Sequence, residues 1–163
     1  MPFLIDGHNL IPHLAGLSLD DPEDERLLVE RLRLFAARSR RRITVYFDRR
    51  APGAGRGLTG GTVTVHFVAH PSTADDAIRR HLERLRGEAR NWTVVSSDTE
   101  VRRSADHAGA RWLSAEAFAR LLDAGRRIEA EEEKPEIPAD PKELAEWESL
   151  FLHKKQPRSR RRL

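Results

Sequence analysis

The chain of 163 residues contains no cysteine, so disulfide frameworks, thiolate metal sites and thiol nucleophiles are all excluded. No window approaches the run of about 18 apolar residues that a membrane span requires. The start also lacks a basic segment leading into an apolar one, so the expected location is the cytoplasm, with no membrane partner. Lysine is the third deficit. Among 29 lysines and arginines, the lysines are Lys134, Lys142, Lys154 and Lys155, and the first 133 residues hold none. That rules out of this region a Walker-type phosphate loop, a Schiff base and an acid pocket that pairs an aspartyl phosphate with lysine. Arginine takes the cationic role, and its donor fork suits phosphate; biased base composition of the gene explains such an excess equally well. The seven histidines are scattered; His66 and His70 are four apart, but they belong to a strand end rather than to a helix, so they do not form a helical zinc pair.

What the chain does have is a set of apolar runs that end in acid. MPFLIDGHNL breaks off at Asp6, ITVYFD closes on Asp48, TVTVHFV leads into STADD with Asp75 and Asp76, and WTVVSSD closes on Asp98. If these runs are strands of one parallel sheet, their carboxyl ends share an edge, and ligands bind in the crevice outside that edge. Two carboxylates about 5 Å apart at an effective dielectric near 20 repel by roughly 3 kcal/mol. Such a cluster needs protons or a cation, and hard oxygen ligands with water favour one or two Mg²⁺ or Mn²⁺ ions.

Between the strands, PEDERLLVERLRLFAARSRRR at 22–42 repeats Leu27, Leu28, Leu32, Phe35 and Ala36 at helical spacing, with acids first and arginines last. A glycine-rich loop is expected at 49–61, and Ser72 or Thr73 is placed to cap a helix running through ADDAIRRHLERLRGEA. A short helix over 99–107, a fifth strand at 111–114 and a Ser114-capped helix stopped by Gly125 complete the pattern. Alternating strand and helix predict a three-layer α/β/α fold with a mainly parallel five-stranded sheet in a domain of residues 1–125. Residues 126–163 read as an appendage: 129–148 hold nine acids and three prolines, and 153–162 hold six bases and no acid. Leu144, Trp147, Leu150 and Phe151 give the intervening segment one apolar helical face, which docks on the parent domain or on a partner. The basic tail adds non-specific phosphate attraction.

Each candidate has a structural alternative. DGHN at 6–9 is either a metal-ligating Asp6 with Asn9 orienting a ligand, or an Asx-type turn; His8 inside it can touch substrate. Asp75 and Asp76 either ligate or favour a helix dipole, and Asp75 is preferred because it lies beside the apolar face of Ala74, Ala77 and Ile78. Asp98 ligates or caps the next helix. Asp48 and Asp106 are secondary, Asp48 because Arg49, Arg50 or another arginine can simply pair with it. GAGRGLTGG at 53–61 precedes a strand rather than a helix, so with Arg49, Arg50 and Arg56 it is either a clamp for a nucleic-acid backbone or a loop without function.

FLIDGHNLI at 3–11, TVYFDRR at 44–50, STADDAI at 72–78 and VVSSDTEVRRSADHAGARWLSAEAF at 94–118 together resemble the NYN-domain ribonucleases, the branch of PIN-like nucleases that includes the YacP-like bacterial proteins. These motifs span roughly residues 1–124 and leave the tail uncovered. The resemblance implies a PIN-like α/β/α sandwich, a divalent-metal site and endonucleolytic cleavage of RNA, with Asp6, Asn9, Asp75 and Asp98 as the core site. Arg49, Arg50, Arg79 and Arg102 are then expected to contact the RNA backbone. The rivals are a catalytically silent RNA-binding or ribosome-associated adaptor and a metal-dependent phosphatase. The phosphatase is disfavoured because the position two after Asp6 is His8 and the domain has no lysine. RNA, and a ribosome or other translation-linked assembly, are the expected partners. Oligomeric state, monomer or weak homodimer, is left open.

Overall fold

The structure is a computed structural model in which residues 1–50 and 61–132 are described, side chains as far as residue 127. Arg56, most of the glycine-rich loop and the appendage beyond Glu132 lie outside the described residues. Five parallel strands form one sheet in the order β3-β2-β1-β4-β5: β1 (Phe3–Asp6), β2 (Ile43–Asp48), β3 (Val63–Val68), β4 (Thr93–Val95) and β5 (Arg111–Leu113). Register is continuous across it, with Ile5 opposite Val45 on one side and Val95 on the other. The chain starts in the middle, builds outward through β2 and β3, then returns to build the other half. Right-handed crossovers in opposite directions put the connecting helices on opposite faces, so a crevice opens at the carboxyl ends of β1 and β4, where the order reverses.

Alternation along β1 sends Phe3 one way and Leu4 the other. Phe3 meets Phe35 of α2 (Asp24–Ser39) and Phe118 of α5 (Ala115–Glu132), with ring centroids 5.1 to 5.9 Å apart. Leu4 and Tyr46 pack on the opposite face against Ala74, Ile78 and Leu82 of α3 (Ala74–Leu85) and Val101 and Ala105 of α4 (Thr99–Ala108). This parity governs the site, since Asp6 and Asp48 follow Leu4 and Tyr46 by two residues and share the α3 face.

Three expectations are corrected. The DGHN segment is not a turn: α1 (Gly7–Leu10) and a 3-10 turn (Ile11–His13) continue from β1. Helix α3 ends at Leu85 rather than running on to Ala89, because Arg86 takes φ 49° and a 3-10 segment (Arg86–Asn91) follows. Gly125 does not stop α5, which carries on to Glu132; a single glycine inside a helix costs only about 1 kcal/mol. By packing, Met1–Leu122 forms one compact unit, so the division falls inside α5.

Candidate active site

Asp6 ends β1 and is 7% exposed. It occupies the N-cap position of α1 without making a side-chain capping hydrogen bond, so the Asx-turn alternative does not describe it. Its carboxyl instead meets Asp75, delivered by the first turn of α3, in a contact that needs a proton between the two. Burial first, then the charge of Asp75, push Asp6 up to about 7, against an opposing pull from the Asn9 backbone N–H. Asp75 is raised as well, by burial and then by the charge of Asp98, with Asp48 and Asp76 adding to it. Two strand ends and two helix starts thus bring Asp6, Asp48 and Asp98 within electrostatic reach of Asp75.

The supporting bonds differ for each acid. Asp98 caps α4, its Oδ1 accepting from the amides of Glu100 at 2.8 Å and Val101 at 3.3 Å. Asp48 does not pair with its neighbouring arginines; its Oδ1 accepts from the Ala74 amide at 2.7 Å and so holds the start of α3 against β2. Asp76 closes a capping box with Thr73 and pairs with Arg79 at 2.9 Å, and those bonds hold its carboxyl below the usual carboxylate range. Its bonds are those of a cap, and Asp75 is the member of the pair that faces Asp6. Asn9 Oδ1 accepts from the Ser97 amide at 2.8 Å, so it ties the turn before Asp98 to α1. Asp106 accepts from Trp112 Nε1 at 3.1 Å. We expect Asp98→Ala to lose about 1 kcal/mol from the missing cap, read as a lower midpoint in urea, with Asp98→Asn retaining most of it.

The expected RNA contacts separate in the same way. His8 Nε2 lies 2.7 Å from Glu25 and its ring packs on Phe47. Arg50 bonds Asp24 at 2.9 Å and the Leu19 carbonyl at 3.2 Å. Arg102 lies over the Trp112 ring at 3.7 Å. Arg49 is exposed beside the rim. The partnership of Arg50 with Asp24 is testable: Asp24 is 1% exposed, while the Arg50 side chain is 37% exposed. Arg50→Ala therefore strands a buried carboxylate, for an expected loss of about 1–3 kcal/mol after solvent screening, measurable by urea denaturation.

Sequence reading did not find Glu25 as the partner of His8, nor Glu116, whose carboxylate accepts from the Ser97 hydroxyl at 2.9 Å beside Asp98. Both are ordinary helix-start acids in sequence and become rim neighbours only through packing.

Among the described residues no three His, Asp or Glu side chains make a ready-made metal cage. The donor set nonetheless fits a small hydrated cation, because Mg²⁺ is usually held by one or two carboxylates with water and substrate phosphate completing its shell. Asp6 and Asp75 supply such a pair, and a divalent ion in place of their shared proton would relieve their repulsion.

A sequence model of the YacP-like NYN domain matches residues 3–156. The chain belongs to this family. The match passes well beyond residue 124, so the family likeness includes most of the tail that the motifs left uncovered. As a YacP-like NYN protein the chain stands among the PIN-like nucleases. It is similar to the crystal structure of Rae1 (YacP) from Bacillus subtilis, with 25% identity, a TM-score of 0.69 and coverage of 94% of this chain and 91% of that one. The W164L mutant of the same protein aligns at 24% identity and a TM-score of 0.65, over 93% of this chain and 98% of that one. No curated protein matches the chain. Among the described residues no helix is long and apolar enough to cross a membrane.

Proposed function

We propose that the chain is a divalent-metal-dependent endoribonuclease that hydrolyses RNA phosphodiester bonds at the carboxyl edge of its sheet. The observation that carries this reading is the buried Asp6–Asp75 pair at the point where the strand order reverses, with Asp98 and Asp48 around it. Asp6 and Asp75 would hold Mg²⁺ or Mn²⁺, and Asp98, through the oxygen not used in its cap, would join them directly or through water. The bound ion would supply a water of lowered pKa and neutralise charge developing on the scissile phosphate. Asn9 acts as a positioning residue, fixing the Ser96–Asp98 turn. Exposed Arg49 would contact the RNA backbone, whereas Arg50, Arg79 and Arg102 steer it through their charge, since each is already paired or stacked. Cytoplasmic RNA, free or presented by a translation-linked assembly such as the ribosome, is the proposed substrate.

The test incubates the purified protein and Asp6→Asn with labelled single-stranded and structured RNA in Mn²⁺, Mg²⁺ or chelator. Internal cuts that need metal and vanish in the variant are the expected result; unchanged cutting by the variant would sink the assignment. A second reading, a silent RNA-binding adaptor, draws support from the use of Asp98 and Asp48 as backbone caps. It predicts RNA affinity in parent and variant alike and no cuts with either metal.

A further inference from the structure

At the opposite, amino edge of the sheet a cleft of about 700 Å³ opens beside the 3-10 segment Arg86–Asn91, which contributes Glu88 and Asn91 to its lining. That volume lies within the range of about 300–1,000 Å³ typical of small-ligand sites. Its floor includes Thr44 and Thr64, paired in register between β2 and β3 on the face that carries Tyr46 and His66. One rim is the run Arg40, Arg41 and Arg42, and Trp92 forms part of the wall.

Arg41 is committed to the fold, lying over the Phe3 ring at 5.7 Å and donating to the Met1 carbonyl at 3.3 Å. Its anchoring leaves Arg40 and Arg42 on either side, both exposed at the cleft. Arg40 has φ 53° and ψ 38°, the left-handed position after a helix that glycine takes without strain. An arginine in that place puts a cation at the rim where a glycine would satisfy the backbone. Trp92 is half-buried, edge-on to His81 at 4.9 Å. Cations for phosphate, an indole for a base and nearby hydroxyls are the elements with which proteins hold single-stranded nucleic acid.

We infer that this cleft is a second nucleotide-binding site, which takes one unit of the RNA strand away from the scissile bond. The inference rests on the reading of the chain as an RNA-binding enzyme. The six residues of β2 place the cleft about 17 Å from the acidic rim. At about 3.4 Å per stacked nucleotide, the strand must extend at least about five nucleotides beyond the cut to reach it. A tetramer bound at the rim cannot occupy the cleft, whereas a dodecamer can.

The experiment measures RNA affinity by fluorescence anisotropy in an Asp6→Asn background, which keeps the RNA uncut, with and without Arg40→Gly plus Arg42→Ser. The first substitution relieves the backbone at Arg40 and the second removes an exposed side chain, so thermal stability should hold or rise. Dodecamer affinity is expected to fall about ten-fold, with the salt slope reduced by about two, while tetramer affinity stays unchanged. Unchanged dodecamer affinity overturns the inference, and so does an equal loss for both lengths, which marks a general field effect. If no RNA binds even to the unaltered cleft, the endoribonuclease reading fails separately, and AMP titrated by calorimetry then decides the cleft. Heat of binding that disappears with Arg40→Gly/Arg42→Ser supports a nucleotide site filled from free nucleotide; no heat overturns it.

Discussion

Asp6→Asn is expected to abolish metal-dependent cleavage, by a hundred-fold or more, and at the same time to make the protein more stable above neutral pH. The two effects have one cause. Asp6 is held up at about 7 against an ordinary value of 3.8, by burial and by Asp75. Between those values the folded chain keeps a proton that the unfolded chain has lost. Stability therefore falls as pH rises through this window, by an amount on the order of 4 kcal/mol at most once pH passes 7. Asparagine carries no charge to bury, so at pH 8 the variant should melt about 5–10 °C higher than the parent, and at pH 4 the gain should vanish. Thermal melts at the two pH values check this, and equal melting temperatures at pH 8 would show that the carboxylate pair is not strained. Added Mg²⁺ or Mn²⁺ should raise the melting temperature of the parent at pH 8, where the pair is ionised and in need of a cation, and leave Asp6→Asn much less affected. Carboxyls that repel one another unless a proton or cation joins them are the form expected of a stability–activity trade.

Gly7→Ala is expected to be the most damaging single methyl that can be added near the site. A Cβ at Gly7 would fall 2.2 Å from Phe47 Cε1. Phe47 is fully buried, and its ring has little room to withdraw, being packed on His8 at 5.1 Å and on Phe67 at 5.3 Å. The overlap therefore moves backbone or an aromatic stack rather than a flexible tip. Overpacking of this severity costs about 3 kcal/mol or more, enough to lower the urea midpoint sharply or to leave the protein insoluble. Because Gly7 follows Asp6 directly, any backbone shift also displaces the carboxyl from Asp75, and activity should fall further than the folded fraction does. Combining Gly7→Ala with Phe47→Leu frees volume at the point of overlap and should recover part of the stability. Failure of that rescue would place the clash elsewhere.

Much of the arrangement was legible in the chain because strand and helix signals are local. The apolar runs ending at Asp6, Asp48 and Asp98 become strand ends or the turns just past them, and the alternation with amphipathic helices yields the parallel sheet. The preference for Asp75 over Asp76 followed from helical geometry, since Ala74 and Ile78 mark the buried face. The missed features are those in which a local signal is too weak to decide the backbone or a distant residue claims the side chain. Gly125 looks like a stop signal, yet α5 passes through it. Arg50 looks like a free phosphate ligand, yet buried Asp24, distant in sequence, claims it.

The sequence by itself determined that any chemistry here does without a thiol, and without lysine before residue 134, and that acids come at the ends of the apolar runs. It also carried the family signal across residues 3–156. Only the tertiary structure decided which carboxyls meet. A two-residue strand period puts Asp6 and Asp48 on the α3 face, the Asp48 bond to the Ala74 amide sets where α3 begins, and that start presents Asp75 to Asp6 while the Thr73 box retains Asp76. Local patterns specify which way a side chain leaves its own element; what it finds there depends on elements that approach from elsewhere in the chain.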